Sequence, residues 1–234
     1  MKDAIETIQG VKGVQAHIVY TDYPINPRID YDNACTMWCW HRRYNLGDKH
    51  RHDDLTAAVV DLWQDYSTQD ERKQFVTDWM KGLPLNEVKR YCRRIDLMMF
   101  EKNDRLNHLF EGLLYAQRSI SEIRLPNRIR WLPLFLYDHS GITMSTGSFG
   151  CRWDSGLVGF IWTADETATS EWLESEVKAY DQYLTGEQYD VLVKHGEDVI
   201  SVCGPHWTIE DARIEATQAL EIEQQEETKW TMML

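Results

Sequence analysis

Hydrophobic positions along the chain follow two periods, and the places where the period changes outline the fold. Val14 to Tyr20 alternates weakly and is rich in strand formers, while Thr21 to Asn33, with Pro24 and Pro27, reads as a long ordered loop behind it. Asp53 to Tyr66 carries apolar residues at 55, 59, 62 and 63, and Thr68-Gln69-Asp70-Glu71 is a capping-box pattern ahead of Phe75, Val76 and Trp79. Two helices are predicted there, the second ended by Gly82-Leu83-Pro84. From Asn86 to about Ser119 there is no proline, and positions 88, 92, 95, 99, 102, 106, 109, 113 and 116 follow a 4-3 spacing on which only Lys102 is polar. A helix of that length would run roughly 50 Å. It suits a spine packed within a small helical subdomain and, as a second use, a homodimer seam through 86–119.

After Pro126 the period shortens. Trp131 to Tyr137, Ile142 to Thr146 and Leu157 to Trp162 read as the strands of a meander, with Asp138-His139-Ser140-Gly141 as the first turn. Thr163 to Tyr183 reads as an acidic amphipathic helix with Trp172, Leu173, Val177, Tyr180 and Leu184 on its apolar side. Tyr189 to Val193 and Val199 to Cys203 flank a glycine turn as a hairpin, which Gly204-Pro205 is expected to stop. Thr208, with Asp211 three residues on, caps a last helix through Ala212, Ala216 and Leu220. The predicted fold is α+β, an antiparallel sheet covered by helices. Residues 1–52 and 122–234 form its body with an acidic C-terminal third, and 53–121 form a helical insertion.

Composition narrows the class. With 234 residues, 43% hydrophobic, 12% aromatic and five cysteines, the chain is neither a disulfide scaffold nor a disordered tail, and it has material for one large domain or two small ones. No apolar run approaches the roughly 20 residues of a membrane span, and Met1 to Glu6 lacks the start of a secretory leader, so a cytosolic protein is expected. The net charge of −13 is unevenly placed: residues 1–163 hold 21 acids and 21 bases, whereas from Ala164 onward there are 17 acids and four bases. A neutral body with an acidic third argues against direct nucleic-acid binding through that third, because such binding rests on Lys and Arg displacing counterions. Residues 86–130, with ten bases and six acids, form a modest basic segment that could face the acidic third.

Candidate chemistry is sparse. Cys35, Cys39 and His41 with nearby His50 and His52 invite a zinc reading, but on a strand Cys35 and Cys39 would stand about 13 Å apart, too far for one ion. Asp22, Asp30, Asp32 and Asn33 have the oxygen chemistry of a calcium or magnesium site, although aspartates in proline-containing loops more often brace turns. His41, Asp138, His139 and Asp154, with Ser140 as nucleophile, would be the catalytic reading. Adjacent residues of a tight turn diverge, however, so Asp138, His139 and Ser140 do not make a triad by themselves. No glycine-rich phosphate loop is present.

Three blocks carry a resemblance. Asn26-Pro27-Arg28-Ile29-Asp30-Tyr31-Asp32-Asn33 followed by Thr36-Met37-Trp38-Cys39-Trp40-His41-Arg42-Arg43-Tyr44-Asn45-Leu46-Gly47-Asp48 is the first. Leu132 to Ser145 with Trp153 to Ile161, and Val177 to Gly186, are the others. Together they resemble a family of uncharacterised bacteriophage and plasmid accessory proteins, over most of the chain except the helical insertion. Ala34-Cys35 stands where that family has Leu-Gly, and Cys203-Gly204-Pro205-His206-Trp207 where it has a Cys-Trp-Gly run. The resemblance implies a phage-type setting and no particular chemistry.

Two functions follow as expectations. In the first, the protein binds a host protein or ribonucleoprotein complex in the host cytosol and inhibits it by occupancy, in the manner of an anti-CRISPR or anti-restriction protein. Glu171, Glu174, Glu176, Asp181, Glu210 and Asp211 would stand in for phosphates. In the second, Asp30, Asp32, His41, Asp138, His139 and Asp154 serve a small metal-dependent hydrolase or a nucleotide-binding protein. The first is preferred: a binding protein rather than an enzyme, with no cofactor and no metal.

Overall fold

The computed structural model describes residues 3–82, 84, 86, 89, 90, 110, 112, 113, 124–151 and 153–233. Its fold is α+β, with eight strands in two antiparallel four-stranded sheets and, among the described residues, five helices. The chain forms two compact units. One comprises Met1–Asn33, Phe135–Gly156 and Glu174–Leu234; the other comprises Ala34–Leu134 and Leu157–Leu173.

The first sheet lies in the first unit and has the order β1-β2-β7-β8, built from β1 (Glu6–Gln9), β2 (Val14–Tyr20), β7 (Tyr189–His195) and β8 (Asp198–His206). Alternation sorts its faces: Val14, Ala16 and Ile18 of β2 and Val191 and Val193 of β7 are buried on one side. There they meet Ala212, Ala216 and Ala219 of the last helix, α5 (Ile209–Met233). The alanine stripe lets this helix sit close against the two central strands. Thr208 caps it, its hydroxyl oxygen accepting from the Asp211 N–H at 3.0 Å. β1 was not predicted, because Ile8 is the one large apolar residue among its four. It is an edge strand held in register, Glu6 opposite Ile18.

The expected stop at Gly204-Pro205 does not occur, and β8 runs on to His206. β8 is a sheet edge, where the missing N–H of Pro205 costs no ladder bond. Gly204 is required beside it, since its φ is +139° and a Cβ there would meet the Asp190 carboxylate at 2.6 Å.

The second sheet has the order β3-β6-β4-β5, from β3 (Thr36–Cys39), β6 (Ser155–Thr163), β4 (Arg130–Asp138) and β5 (Ile142–Ser145). In the second unit, α2 (Leu55–Tyr66) starts at Asp54, whose carboxylate accepts from the Ala57 N–H, and α3 (Gln69–Lys81) starts at a complete Thr68/Glu71 capping box. Their apolar faces join Phe160 and Trp162 of β6 in one core. Trp63, Phe75 and Phe110 meet edge to face with ring centres 5.0–5.2 Å apart. The predicted helix over 86–119 lies mostly outside the described residues. Those described within it (86, 89, 90, 110, 112 and 113) are helical, and Phe110 and Leu113 are buried in this core.

Two further boundaries differ from expectation. The loop 21–33 contains a single helical turn, α1 (Pro27–Asp30), where the Asn26 side chain accepts from the Arg28 N–H and Pro27 supplies a preset first residue. The acidic helix, α4 (Ser170–Thr185), begins seven residues later than Thr163, because Thr163 completes β6 and Asp165 then turns the chain by accepting from the Thr167 N–H and hydroxyl.

Gly159 fixes how near β3 comes to β6. A Cβ there would lie 2.0 Å from the Trp38 carbonyl oxygen and 2.9 Å from the Cys39 Cα, backbone atoms that cannot rotate away. Gly159→Ala is expected to lower the unfolding free energy by about 3 kcal/mol in chemical denaturation. Stability equal to the parent would contradict this account of the pairing.

Candidate functional site

The carboxylates of the acidic third divide into those that hold the fold and those that face outward. Arg28, on α1, has a side chain only 1% exposed, and its Nη1 donates to the Glu176 carboxylate at 2.6 Å. Removing Glu176 would take this carboxylate away from a buried guanidinium. Asp181 accepts from the Thr143 hydroxyl at 2.7 Å and the Met144 N–H at 2.6 Å, tying α4 to β5. Asp211 accepts from the Thr208 hydroxyl within the cap of α5. Glu176, Asp181 and Asp211 are therefore structural. Glu171 and Glu174 of α4 and Glu210 of α5 are exposed. A hydrogen bond from the Thr169 side chain holds the Glu171 carboxyl below the usual carboxylate range, so it stays ionised. Glu210 shares Arg213 with Glu6.

The residues of the alternative site do not assemble around one point. Asp30 accepts from the Asn26 N–H and closes α1, Asp32 is exposed, and the Asn33 amide donates to the carbonyls of Pro27 and Tyr31. These side chains brace the loop. At the end of the β4–β5 hairpin, His139 Nδ1 lies 3.5 Å from an Asp154 carboxylate oxygen, and the Asp138 N–H donates to the Asp154 carbonyl. His139 is 64% exposed, so water competes for this pair. His41 belongs to the other unit, stacked on Tyr44 with ring centres 4.9 Å apart. Cys35 and Cys39 are buried thiols. Among the described residues, no group of three or more His, Cys, Asp or Glu is arranged to hold a metal ion.

The second unit contains a cleft of about 490 Å³. Its floor comes from β3 and β6: the register places Thr36 opposite Trp162 and Trp38 opposite Phe160, which makes Trp38 and Trp162 diagonal neighbours with ring centres 5.1 Å apart. α2 supplies Asp61, Asp65 and Tyr66, the last edge-on to Trp162 at 5.7 Å. The segment Lys49-His50-Arg51-His52 closes the remaining side. It is pinned at two points: Trp40 Nε1–H donates to the His52 carbonyl, and His50 Nε2 lies 3.0 Å from the Cys39 carbonyl.

Electrostatics in this cleft are specific. A carbonyl only accepts, so His50 donates from Nε2 to the Cys39 carbonyl, and only in the neutral ring would Nδ1 be a lone pair. That Nδ1 and the Trp162 Nε1–H are both buried without a hydrogen-bond partner. His52 is 8% exposed and stands 4.5 Å from the Trp38 ring. Burial pushes its pKa down, outweighing the upward pull of Asp61, so its ring is neutral at neutral pH. Asp61 also accepts from Arg51 at 3.1 Å.

The spacing in the sequence drew attention to His50 and His52, though for a metal. It missed Lys49, Arg51, Asp61, Asp65, Tyr66 and Trp162, because only the β3–β6 register brings residue 162 to residue 38. The run of alternating basic and imidazole side chains at 49–52 was the one local signal. The chain matches no family model, no curated protein and no solved structure. Its fold and site define it as an α+β protein with a neutral aromatic cleft in one unit and outward-facing carboxylates on α4 and α5.

Acidification is expected to destabilise the protein. Burial holds His52 below the ordinary imidazole value of 6.5, and burial followed by Lys194 does the same to His17 in the first unit. The unfolded chain therefore binds protons more readily than the folded one. This contribution to stability is complete above about pH 6.5 and is lost as the pH falls through the lower folded values. Denaturation midpoints should fall between about pH 7.5 and 5.5, and His52→Gln should reduce that slope. A slope unchanged by the substitution would contradict the assignment.

Proposed function

We propose that this protein acts by binding, as an accessory protein of phage type in the host cytosol, with its acidic C-terminal third occupying a basic surface of a host macromolecule. The observation that carries this reading is the fate of the bases in that third. Lys194 is only 9% exposed and Arg213 is held between Glu6 and Glu210, while Lys178 alone of the described bases stands exposed on α4, so the carboxylates facing solvent outnumber the bases beside them. Fixed carboxylates can substitute for the phosphates that a nucleic-acid-handling complex binds in its basic clefts. A defence complex of the CRISPR or restriction type is the partner class with that chemistry, and inhibition follows from occupancy. No helix of the described residues is long and apolar enough to cross a membrane.

The division of the carboxylates decides which residues to change. Glu176 and Asp181 hold the fold, so their loss would confound any binding assay, whereas Glu171, Glu174 and Glu210 are exposed and their reversal costs less. In a pull-down from host cytosol, the parent should retain a stoichiometric partner at low salt and release it at high salt. The triple variant Glu171→Lys, Glu174→Lys, Glu210→Lys should retain at least about tenfold less. Undiminished retention by the variant would overturn the proposal. Divalent-metal-dependent hydrolysis by the purified protein would favour the His139–Asp154 end of the hairpin instead.

A further inference from the structure

We propose that the cavity between α1, α4 and the start of α5, in the first unit, is a socket for an arginine side chain of a protein partner; this rests on the reading of the acidic third as a surface for a basic macromolecule. The cavity holds about 340 Å³. Part of its wall is aromatic: Tyr31 and Trp207 stand with ring centres 6.1 Å apart, tilted at 53°, and Tyr31 is 49% exposed. Two further wall residues are amides whose orientation is fixed. Asn33 Nδ2 donates to the carbonyls of Pro27 and Tyr31, and Gln182 Nε2 donates to the Trp207 carbonyl at 2.5 Å. With both nitrogens spent on main chain, Asn33 Oδ1 and Gln182 Oε1 are left over as acceptors, without a partner among the described residues and open to solvent rather than buried.

Acceptor oxygens beside flat π faces select the ligand. An inorganic anion brings only acceptors, and an aliphatic side chain brings no donor for the amide oxygens. A guanidinium has five N–H donors, a positive charge and a planar face that stacks on indole and phenol, whereas an ammonium lacks the plane. Charge around the cavity agrees. Glu176, on its wall, is paired with the enclosed Arg28. Outside that pair, two carboxylates stand next to the wall: exposed Asp32 lies between Tyr31 and Asn33 in the chain, and Asp211 accepts from the hydroxyl of Thr208, a wall residue, at 2.7 Å. Lys178 is the one base among the lining residues, and it is exposed on a long stem that can turn to water. The carboxylates of α4 and α5 would draw in a basic surface, and the socket would anchor one of its arginines.

The test follows the Trp207 Nε1–H resonance of the full-length protein by NMR at low salt, assigned with Trp207→Phe. The probe is N-acetyl-arginine amide, with the corresponding lysine and citrulline amides as controls; citrulline keeps the planar shape and loses the charge. The arginine probe should give a saturable shift with a dissociation constant of about 10 mM or below, the lysine probe should bind at least about threefold more weakly, and citrulline should give no saturable shift. Tyr31→Ala should weaken arginine binding about threefold, and Lys178→Gln, at an exposed position, should tighten it about twofold. No saturable shift from arginine up to about 50 mM, an equal shift from citrulline, or weaker binding in Lys178→Gln would overturn the inference. The probe needs no partner, so socket and surface can fail separately. A partner captured through the acidic third with no arginine shift overturns the socket alone, and arginine binding with no captured partner supports the socket and counts against the surface reading.

Discussion

The backbones of β3 and β6 approach so closely at Gly159 that no side chain fits between them, and the aromatic cleft is organised around this approach. The pairing of Thr36 with Trp162 and Trp38 with Phe160 brings into diagonal contact two indoles separated by more than a hundred residues of chain. It also sets the Cys39 carbonyl where His50 Nε2 can donate to it, at 3.0 Å. The Lys49–His52 segment is thus positioned by strand backbone rather than by its own conformation. A one-residue slip of β3 along β6 would turn Trp38 to the face opposite Trp162. The chemistry of the cleft is therefore a consequence of register.

The first unit is governed by a different constraint, the partition of its carboxylates. A chain so rich in acids uses some of them internally, at a buried arginine, a strand edge and a helix cap. Arg28, almost entirely enclosed, takes Glu176; the edge of β5 takes Asp181; the cap of α5 takes Asp211. Lys194 is buried rather than displayed, which removes a base from the exterior without removing an acid. The carboxylates left outside, Glu174 and Glu210 among them, are exposed, and their mutual repulsion is tolerable because water and salt screen it.

Much of the fold was legible in the chain because local signals and tertiary demands agree. β2 spans the predicted Val14–Tyr20, the Thr68/Glu71 box caps α3, and Thr208 caps α5. The failures lie where tertiary pairing overrides local pattern. β1, with Ile8 as its one large apolar residue, is a strand because β2 offers it an edge, and β8 passes through Pro205 because that edge faces no further strand. The candidate site was less legible than the fold. Counting carboxylates located the acidic helices but could not tell Glu176, held by a buried arginine, from the exposed Glu174. His50 and His52 stood out as histidines, while the residues that give them a role, Trp162, Tyr66 and Asp61, carry no motif of their own.

The central structural claim is that the β3–β6 register assembles the aromatic cleft in the free protein. The most direct measurement is a proton NOE experiment on the indole rings, with Trp38 and Trp162 assigned by substitution. Ring centres 5.1 Å apart predict strong cross-peaks between the two indoles, together with slow exchange of the Trp40 N–H that donates to the Val158 carbonyl. Absence of those cross-peaks, with a rapidly exchanging Trp40 amide, would contradict the register and with it the site.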